Sequence, residues 1–148
     1  MAAPPENQFW KLRSKHGRNK LFKTSKLLWD AACEYFEWCD ENPLEEEKAF
    51  HYQGITSKEN INKMRAYTLT ALCLYLDCST QYFRNFEDNN KDTKDFMAVI
   101  TRIRETIYSQ KFTGAAADLL NANIIARDLG LTDKQEVTGT VITVTVDK

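Results

Sequence analysis

The chain has 148 residues, with 20 lysines and arginines against 21 aspartates and glutamates, so its formal net charge is −1. This length is typical of one domain with a core of its own, and a net charge near zero argues against a global electrostatic field for nucleic acid. No apolar run approaches the roughly eighteen residues of a membrane span. The N-terminus lacks a hydrophobic signal core, so we expect no export and no membrane partner.

Charge is distributed unevenly along the chain. The first 26 residues carry basic side chains at nearly alternate positions against the single acid Glu6. We therefore predict that residues 1–23 form an extended basic arm that can neutralise phosphates, each neutralised phosphate adding about −0.9 to the log–log salt slope of binding. The candidate phosphate contacts are Lys11, Arg13, Lys15, Arg18 and Lys20. The alternative is a solvated terminus without a binding role.

The residue types needed for catalysis or metal binding do not occur in a recognisable pattern. The four cysteines are spaced unlike a usual zinc site and are expected to stay thiols in a reducing cytoplasm. The five glycines form no phosphate-binding loop, and the chain contains no G-x-S-x-G or H-E-x-x-H motif. We expect no metal and no cofactor, and a binding or assembly protein rather than an enzyme.

Residues 24–66 contain a predicted helix and a predicted hairpin. Thr24 or Ser25 can cap a helix that runs to about Asn42, where Pro43 stops it. Residues 44–57 alternate in polarity around a turn at Gln53-Gly54, which predicts a short two-stranded β-hairpin. Residues 57–66 are interpreted as a polar connection or a short helix.

The stretch from Thr68 to Phe86 has the pattern of a helix-turn-helix. One helix runs to Leu76, residues 77–79 form a tight turn, and Ser79 or Thr80 caps the second helix. The exposed face of a DNA-reading second helix would carry side-chain types that match base edges, here Gln81, Arg84 and Asn85.

Three acids complicate this interpretation. Asp77, Glu87 and Asp88 would repel phosphates. The alternative is a helical hairpin that serves only as core.

Two helices are predicted in residues 92–131. The first extends to about Gln110 with a single apolar stripe, and residues 111–114 break or bend it. The second opens after Gly114, closes at Gly130 and carries two apolar stripes, whereas a helix docking once needs only one. This favours packing on two sides, either as the central helix of a monomer or as an oligomerisation helix. The candidate interface residues from both helices are Phe96, Ile100, Ile103, Ile107, Leu119, Ala122, Ala126 and Leu129.

Residues 136–147 are rich in Val, Ile and Thr and predict a β-strand. Because no adjacent strand is available, the strand would be an aggregation hazard unless another chain completes its sheet. This favours self-association through a barrel built from one strand per subunit. Docking on the hairpin at residues 44–57 is the competing explanation.

The predicted fold class is mainly α, with a helix-turn-helix-containing domain, a long helical hairpin, a small β-hairpin and a C-terminal strand in an intersubunit β-barrel of a ring. We divide the chain into a basic arm at 1–23, a helical domain at 24–91, oligomerisation helices at 92–131 and a strand tail at 132–148.

Several runs of residues also carry a family resemblance, which spans residues 8 to 134. They include His16-Gly17-Arg18-Asn19, Glu34-Tyr-Phe-Glu-Trp38, Lys63-Met-Arg-Ala66 and the long run from Gln110 to Leu131. In these runs the chain resembles the small terminase subunit of lambdoid, short-tailed, headful-packaging bacteriophages. The resemblance implies a ring-shaped homo-oligomer, a nonamer, that recognises viral double-stranded DNA at the packaging-initiation site in the host cytoplasm.

The same resemblance implies a partner and a non-catalytic role. The ring would recruit the large terminase subunit and modulate its ATPase, while that subunit supplies ATPase and nuclease activity. The resemblance stops after Lys134, where relatives carry a strongly basic tail and this chain has the Thr/Val-rich segment. DNA binding is therefore expected at the arm or the helix-turn-helix. The alternatives are a dimeric helix-turn-helix transcription regulator and a structural adaptor of the packaging motor.

Overall fold

The structure is a computed structural model that describes residues 18–132, 139, 145 and 146. The described part is mainly helical with one small antiparallel hairpin, as predicted. Its elements in chain order are α1 (Arg18–Leu21), α2 (Ser25–Glu41), β1 (Leu44–Tyr52), β2 (Ile55–Lys63), α3 (Leu69–Tyr75), α4 (Thr80–Asn89), α5 (Lys94–Ala116) and α6 (Ala122–Asp128). None of the helices in this part is long and apolar enough to cross a bilayer.

Helix α2 lies at the centre of the core. The Thr24 hydroxyl caps it by accepting a hydrogen bond from the Leu27 amide at 3.2 Å, as the sequence predicted. Its apolar face is buried, with Leu28 and Ala32 fully inaccessible. Helix α5 packs along this face through its single apolar stripe, in which Ile100 and Ile103 are also fully inaccessible.

Helix α5 continues through residues 111–114, where a break or bend was predicted. Gly114 is buried inside the helix, and an added Cβ there would lie 2.8 Å from Leu120 Cδ1 and 2.9 Å from Met64 Sδ. The glycine therefore permits close approach of these two side chains and does not end the helix.

The break occurs later, between Ala117 and Asn121, so the prediction of one helix from residue 115 to 129 is wrong. Asp118 adopts a left-handed φ of 57°, the Leu119 amide donates to the Gly114 carbonyl at 2.8 Å, and the Asp118 amide donates to the Ala115 carbonyl at 3.1 Å. This pair of bonds is the Schellman ending of a helix. Asn121 then caps α6. The two apolar stripes therefore do not share one helix.

The β-hairpin is confirmed, although its strands are longer than predicted. β1 and β2 pair antiparallel from Leu44↔Lys63 to Tyr52↔Ile55, so residues 57–63 are strand rather than connection. Gln53 and Gly54 both have positive φ, 48° and 77°, as a type I′ turn requires. Most side chains of both strands are exposed. The predicted strand at 136–147 lies outside the described residues, apart from 139, 145 and 146.

Candidate nucleic-acid interface

Helices α3 and α4 are joined by a tight turn at the predicted position. The Cys78 amide donates to the Cys73 carbonyl at 2.9 Å, and the Asp77 amide donates to the Leu74 carbonyl at 3.2 Å. Asp77 takes a left-handed φ of 58° at the position where glycine is favoured in this type of ending. Ser79 then caps α4 by accepting a hydrogen bond from the Tyr82 amide at 3.0 Å.

Buried side chains on both sides of this turn fix the two helices on the core. Leu72, Leu76 and Phe83 are fully inaccessible. Cys73 is buried and Cys78 half-buried. The hydrogen bond between the two thiols lowers the pKa of Cys78 and raises that of Cys73, and the positive charge of Arg18 also lowers the Cys78 pKa. Arg18 lines a shallow hollow together with Asp77 and Cys78 of this turn.

The end of the basic arm is anchored on α4. Residues 18–21 form helix α1, where an extended chain was predicted, and Leu21 and Phe22 are buried. The Phe22 ring meets Tyr82 and Phe86 edge-on, with centroids 5.2 and 4.8 Å apart. The signal for this anchor was the apolar pair within an otherwise basic segment. Its burial holds the segment against α4.

Arg18 and Lys20 lie exposed beside this anchor. The Arg18 guanidinium is 4.7 Å from the centroid of the Tyr82 ring, a cation–π contact. Together with Asn19 and Asp77, the two cations line a shallow hollow of about 500 Å³ at the start of α4. The other predicted phosphate contacts, Lys11, Arg13 and Lys15, lie outside the described residues.

The predicted base-reading side chains share an exposed surface of α4. Gln81, Arg84 and Asn85 are all exposed. Gln81 Nε2 donates to Asn85 Oδ1 at 2.9 Å across one helical turn. Two of the three side chains are therefore held together, while Arg18 contacts Tyr82 on the same helix.

Glu87 and Asp88, two of the acids that argued against phosphate binding, have basic partners. Glu87 accepts a hydrogen bond from Arg104 Nε of α5 at 3.2 Å, and Arg104 also stacks over Phe83. Asp88 forms an ion pair with Lys91, with 3.3 Å between Oδ1 and Nζ. The Glu87 partner could not be found from sequence, because the two residues lie 17 positions apart on different helices. The repulsion expected from these two acids is reduced.

The residues predicted for an oligomer interface fall into two environments. Ile100, Ile103 and Ile107 are buried in the core of the chain itself, and Phe96 is partly buried against that core. Leu119 and Ala122 are exposed, whereas Ala126 and Leu129 are half-buried. Within α5 and α6, the large apolar side chains that are exposed but were not predicted for the interface are Tyr108, Phe112 and Ile124.

No group of three or more His, Cys, Asp or Glu side chains in the described ranges is arranged to hold a metal ion. The exposed functional groups described above at α1 and α4 are cations and hydrogen-bonding amides.

Residues 17–137 match the protein family described as DNA-packaging protein gp3. The small terminase subunit of Salmonella phage P22 is 53% identical over 137 residues, which cover 93% of this chain and 82% of the relative. The chain therefore belongs to the small terminase subunit family of DNA-packaging proteins. The family resemblance inferred from the residue runs is confirmed.

Proposed function

We propose that the protein is a non-catalytic ring subunit that recognises viral double-stranded DNA at the packaging-initiation site. In this role it works in the host cytoplasm, and it recruits the large terminase subunit and regulates its ATPase and nuclease. The observation that carries the DNA-binding part is the junction of α1 with α4. There, exposed cations of the arm lie against the helix that bears the exposed polar surface.

The two sets of side chains would have different roles on DNA. Arg18 and Lys20, with Lys11, Arg13 and Lys15 preceding them, would contact phosphates, which positions the protein without reading sequence. Gln81, Arg84 and Asn85 are of the types that bind base edges in the major groove. The pairing of Glu87 with Arg104 supports this role, since it removes part of the repulsion beside the helix.

Replacing the five arm cations with alanine tests the phosphate role. We expect weaker binding to all duplex sequences and a log–log salt slope that falls by about 0.9 for each phosphate that is no longer neutralised. A matched control removes Lys48 and Lys58, exposed cations of the hairpin, and should leave the slope unchanged. Fluorescence anisotropy at several salt concentrations measures both. An unchanged affinity and slope in the five-cation variant would show that the arm does not bind DNA.

Replacing Gln81 and Asn85 with alanine tests base reading. Each good bidentate contact contributes about 1–3 kcal/mol of discrimination between bases. We expect the variant to lose preference for packaging-initiation DNA over an unrelated duplex while keeping its non-specific affinity. Equal preference in variant and wild type would leave α4 with a structural role only.

Ring assembly is proposed to use the exposed part of the predicted interface, where Leu119 and Ala122 lie, with Ala126 and Leu129 at its edge. Native mass spectrometry of the full chain should give one closed species of fixed subunit number. A monomer at micromolar concentration would contradict the ring. A two-fold dimer on a palindromic site would favour a transcription regulator instead.

A further inference from the structure

The β-hairpin is fixed at its base and extends away from the core. The Gln110 side chain accepts a hydrogen bond from the Tyr67 amide at 3.0 Å and donates one to the Arg65 carbonyl at 3.0 Å. Arg65 Nε in turn donates to the Asn42 carbonyl at 2.8 Å. The segments that enter and leave the hairpin are thus held together, whereas the strands beyond them pack chiefly on each other within residues 18–132.

The far end of the hairpin has one apolar face. Successive side chains of a strand point to opposite faces, and the register pairs Tyr52 with Ile55 on the same face as Phe50. These three side chains, which we call the hairpin tip, are 44–75% exposed. The opposite face carries polar groups, including a hydrogen bond of 2.9 Å between His51 Nδ1 and Thr56 Oγ1.

Further exposed apolar side chains lie later in the chain, at the end of α5, in the loop after it and on α6. The Tyr108 and Phe112 rings stack in parallel 6.3 Å apart and are each about half exposed. Leu119 and Ile124, 60% and 65% exposed, follow in the connecting loop and in α6. We call these four residues the α5–α6 patch.

Helix α6, which carries Ile124 of the α5–α6 patch, is packed against α5. Helix α6 is held against α5 by the ion pair between Lys111 and Asp128, with 2.6 Å between Nζ and Oδ2, and by buried Ile125. The exposure of Ile124 is therefore a property of a packed helix and not of a frayed end.

We infer that the hairpin tip of one copy of this chain docks on the α5–α6 patch of the next copy. The inference rests on the proposed ring and names the surfaces that form it. In a ring each copy docks its tip on one neighbour and receives a tip from the other neighbour. This contact is heterologous, and its repetition generates a ring when the rotation closes. A two-fold dimer would instead exchange the contact reciprocally between two copies and leave no surface for a third, so it would cross-link only as far as a dimer.

The exposed apolar areas of the hairpin tip and of the α5–α6 patch are similar in size. Taking about 200 Å² for a large apolar side chain in water, each surface presents roughly 400 Å² of apolar area. This is about half of the roughly 800 Å² that each partner buries in a stable protein interface, and the polar residues around both surfaces can supply the remaining rim. An isolated two-stranded hairpin is marginally stable in water, so contact with a second copy also explains why one is maintained here.

Cross-linking distinguishes a head-to-tail contact from a two-fold one. A chain carrying both Ile55→Cys and Ile124→Cys, treated with a short bismaleimide, should give a ladder of covalent multimers. Each single variant should give no more product than the wild type, whose own four cysteines provide the background. Strong dimer formation by Ile55→Cys alone would mean that hairpin tips meet each other, which would overturn the inference.

Truncating the tip measures its contribution. Tyr52→Ser with Ile55→Ser should raise the dissociation constant between subunits roughly tenfold to hundredfold, as loss of interface anchors does. His51→Ser with Lys58→Ser on the opposite face is the matched control and should assemble like the wild type. Circular dichroism of all variants checks that the helices remain folded.

The outcomes separate the two proposals. If the wild type is a monomer by native mass spectrometry, the proposed ring is wrong. If the wild type forms a ring, yet the tip variant assembles equally well and the double-cysteine chain gives no ladder, only the docking of the hairpin is wrong.

Discussion

The helical body and the β-hairpin are both regular structure, but they are maintained by different interactions. In the body, apolar side chains such as Leu28 and Phe83 are fully removed from water. In the hairpin the strands pair along their whole length while most of their side chains remain exposed. Burial therefore stabilises the body, whereas the hairpin depends on its turn, its ladder and its cross-strand contacts.

The same contrast holds for polar groups. The body places hydrogen bonds between segments distant in sequence, such as Tyr67 OH to Asp40 Oδ1 at 2.6 Å and Tyr75 OH to Glu34 Oε2 at 2.9 Å. The hairpin carries ion pairs in water, including Lys63 with Glu46. A change in the body should alter the fold, and a change in the hairpin should alter contacts with other molecules.

Making the same substitution, Phe to Ala, once in the body and once in the hairpin tests this difference most directly. Phe83→Ala removes a fully buried ring and should cost about 3–5 kcal/mol of unfolding free energy, because apolar burial is reduced and a cavity is left. Phe50→Ala removes a ring that is 44% exposed and should cost far less. Urea unfolding at several protein concentrations separates subunit folding from assembly. Equal losses would show that the hairpin face is part of the core.

Sequence patterns predicted the elements whose signals are local. The cap at Thr24, the Gln53-Gly54 turn and the Ser79 cap are each set by side chains within a few residues, and all three occur as expected. The helix break near residue 118 was missed because its left-handed residue is Asp rather than Gly. Aspartate tolerates this conformation better than most residues, but an aspartate in the sequence does not by itself predict a helix end.

The candidate interface was predictable only in part, for a related reason. Helical spacing places residues 81, 84 and 85 on one face of α4, and all three are exposed, as expected. The contact of Phe22 with Phe86 and the pairing of Glu87 with Arg104 join distant segments. Such contacts depend on how helices pack, which the spacing of residues along the chain does not reveal. The exposed hydrophobic tip was missed because its strands were interpreted only for their alternation.

The ion pairs of the two regions offer a second comparison. Asp128→Asn removes the counter-charge of Lys111, which is only 7% exposed. We expect the variant to lose about 1–3 kcal/mol of unfolding free energy. This is less than for a fully buried pair, because Asp128 is half exposed and its charge is screened by water. Adding Lys111→Met should recover much of this loss. Thermal unfolding of the two variants measures it, and a stable Asp128→Asn protein would mean that Lys111 is solvated after all.

The matched change in the hairpin is Glu46→Gln, for which we expect a smaller effect that depends on pH. The hydrogen bond from Lys63 lowers the pKa of Glu46 in the folded state. The ionised Glu46 carboxylate therefore stabilises the hairpin above the pKa that Glu46 has in the unfolded chain. This stabilisation is lost as the pH falls through the lowered pKa of the folded state. Amide exchange in the hairpin should differ between variant and wild type at neutral pH and converge in acid. A difference that grows in acid would contradict this assignment.

The smallest effects are expected at the turns of the two regions. Asp118→Gly relieves a left-handed φ of 57° and should stabilise the body by about 0.5–1 kcal/mol, or roughly 2–4 °C in Tm. Asp118→Ala is its control and should destabilise, because alanine disfavours this conformation. Gln53→Asn supplies the residue preferred in a type I′ turn and should slow amide exchange in the hairpin alone. If Asp118→Gly lowered Tm instead, the Asp118 carboxylate would have to stabilise the break by more than its backbone strain costs.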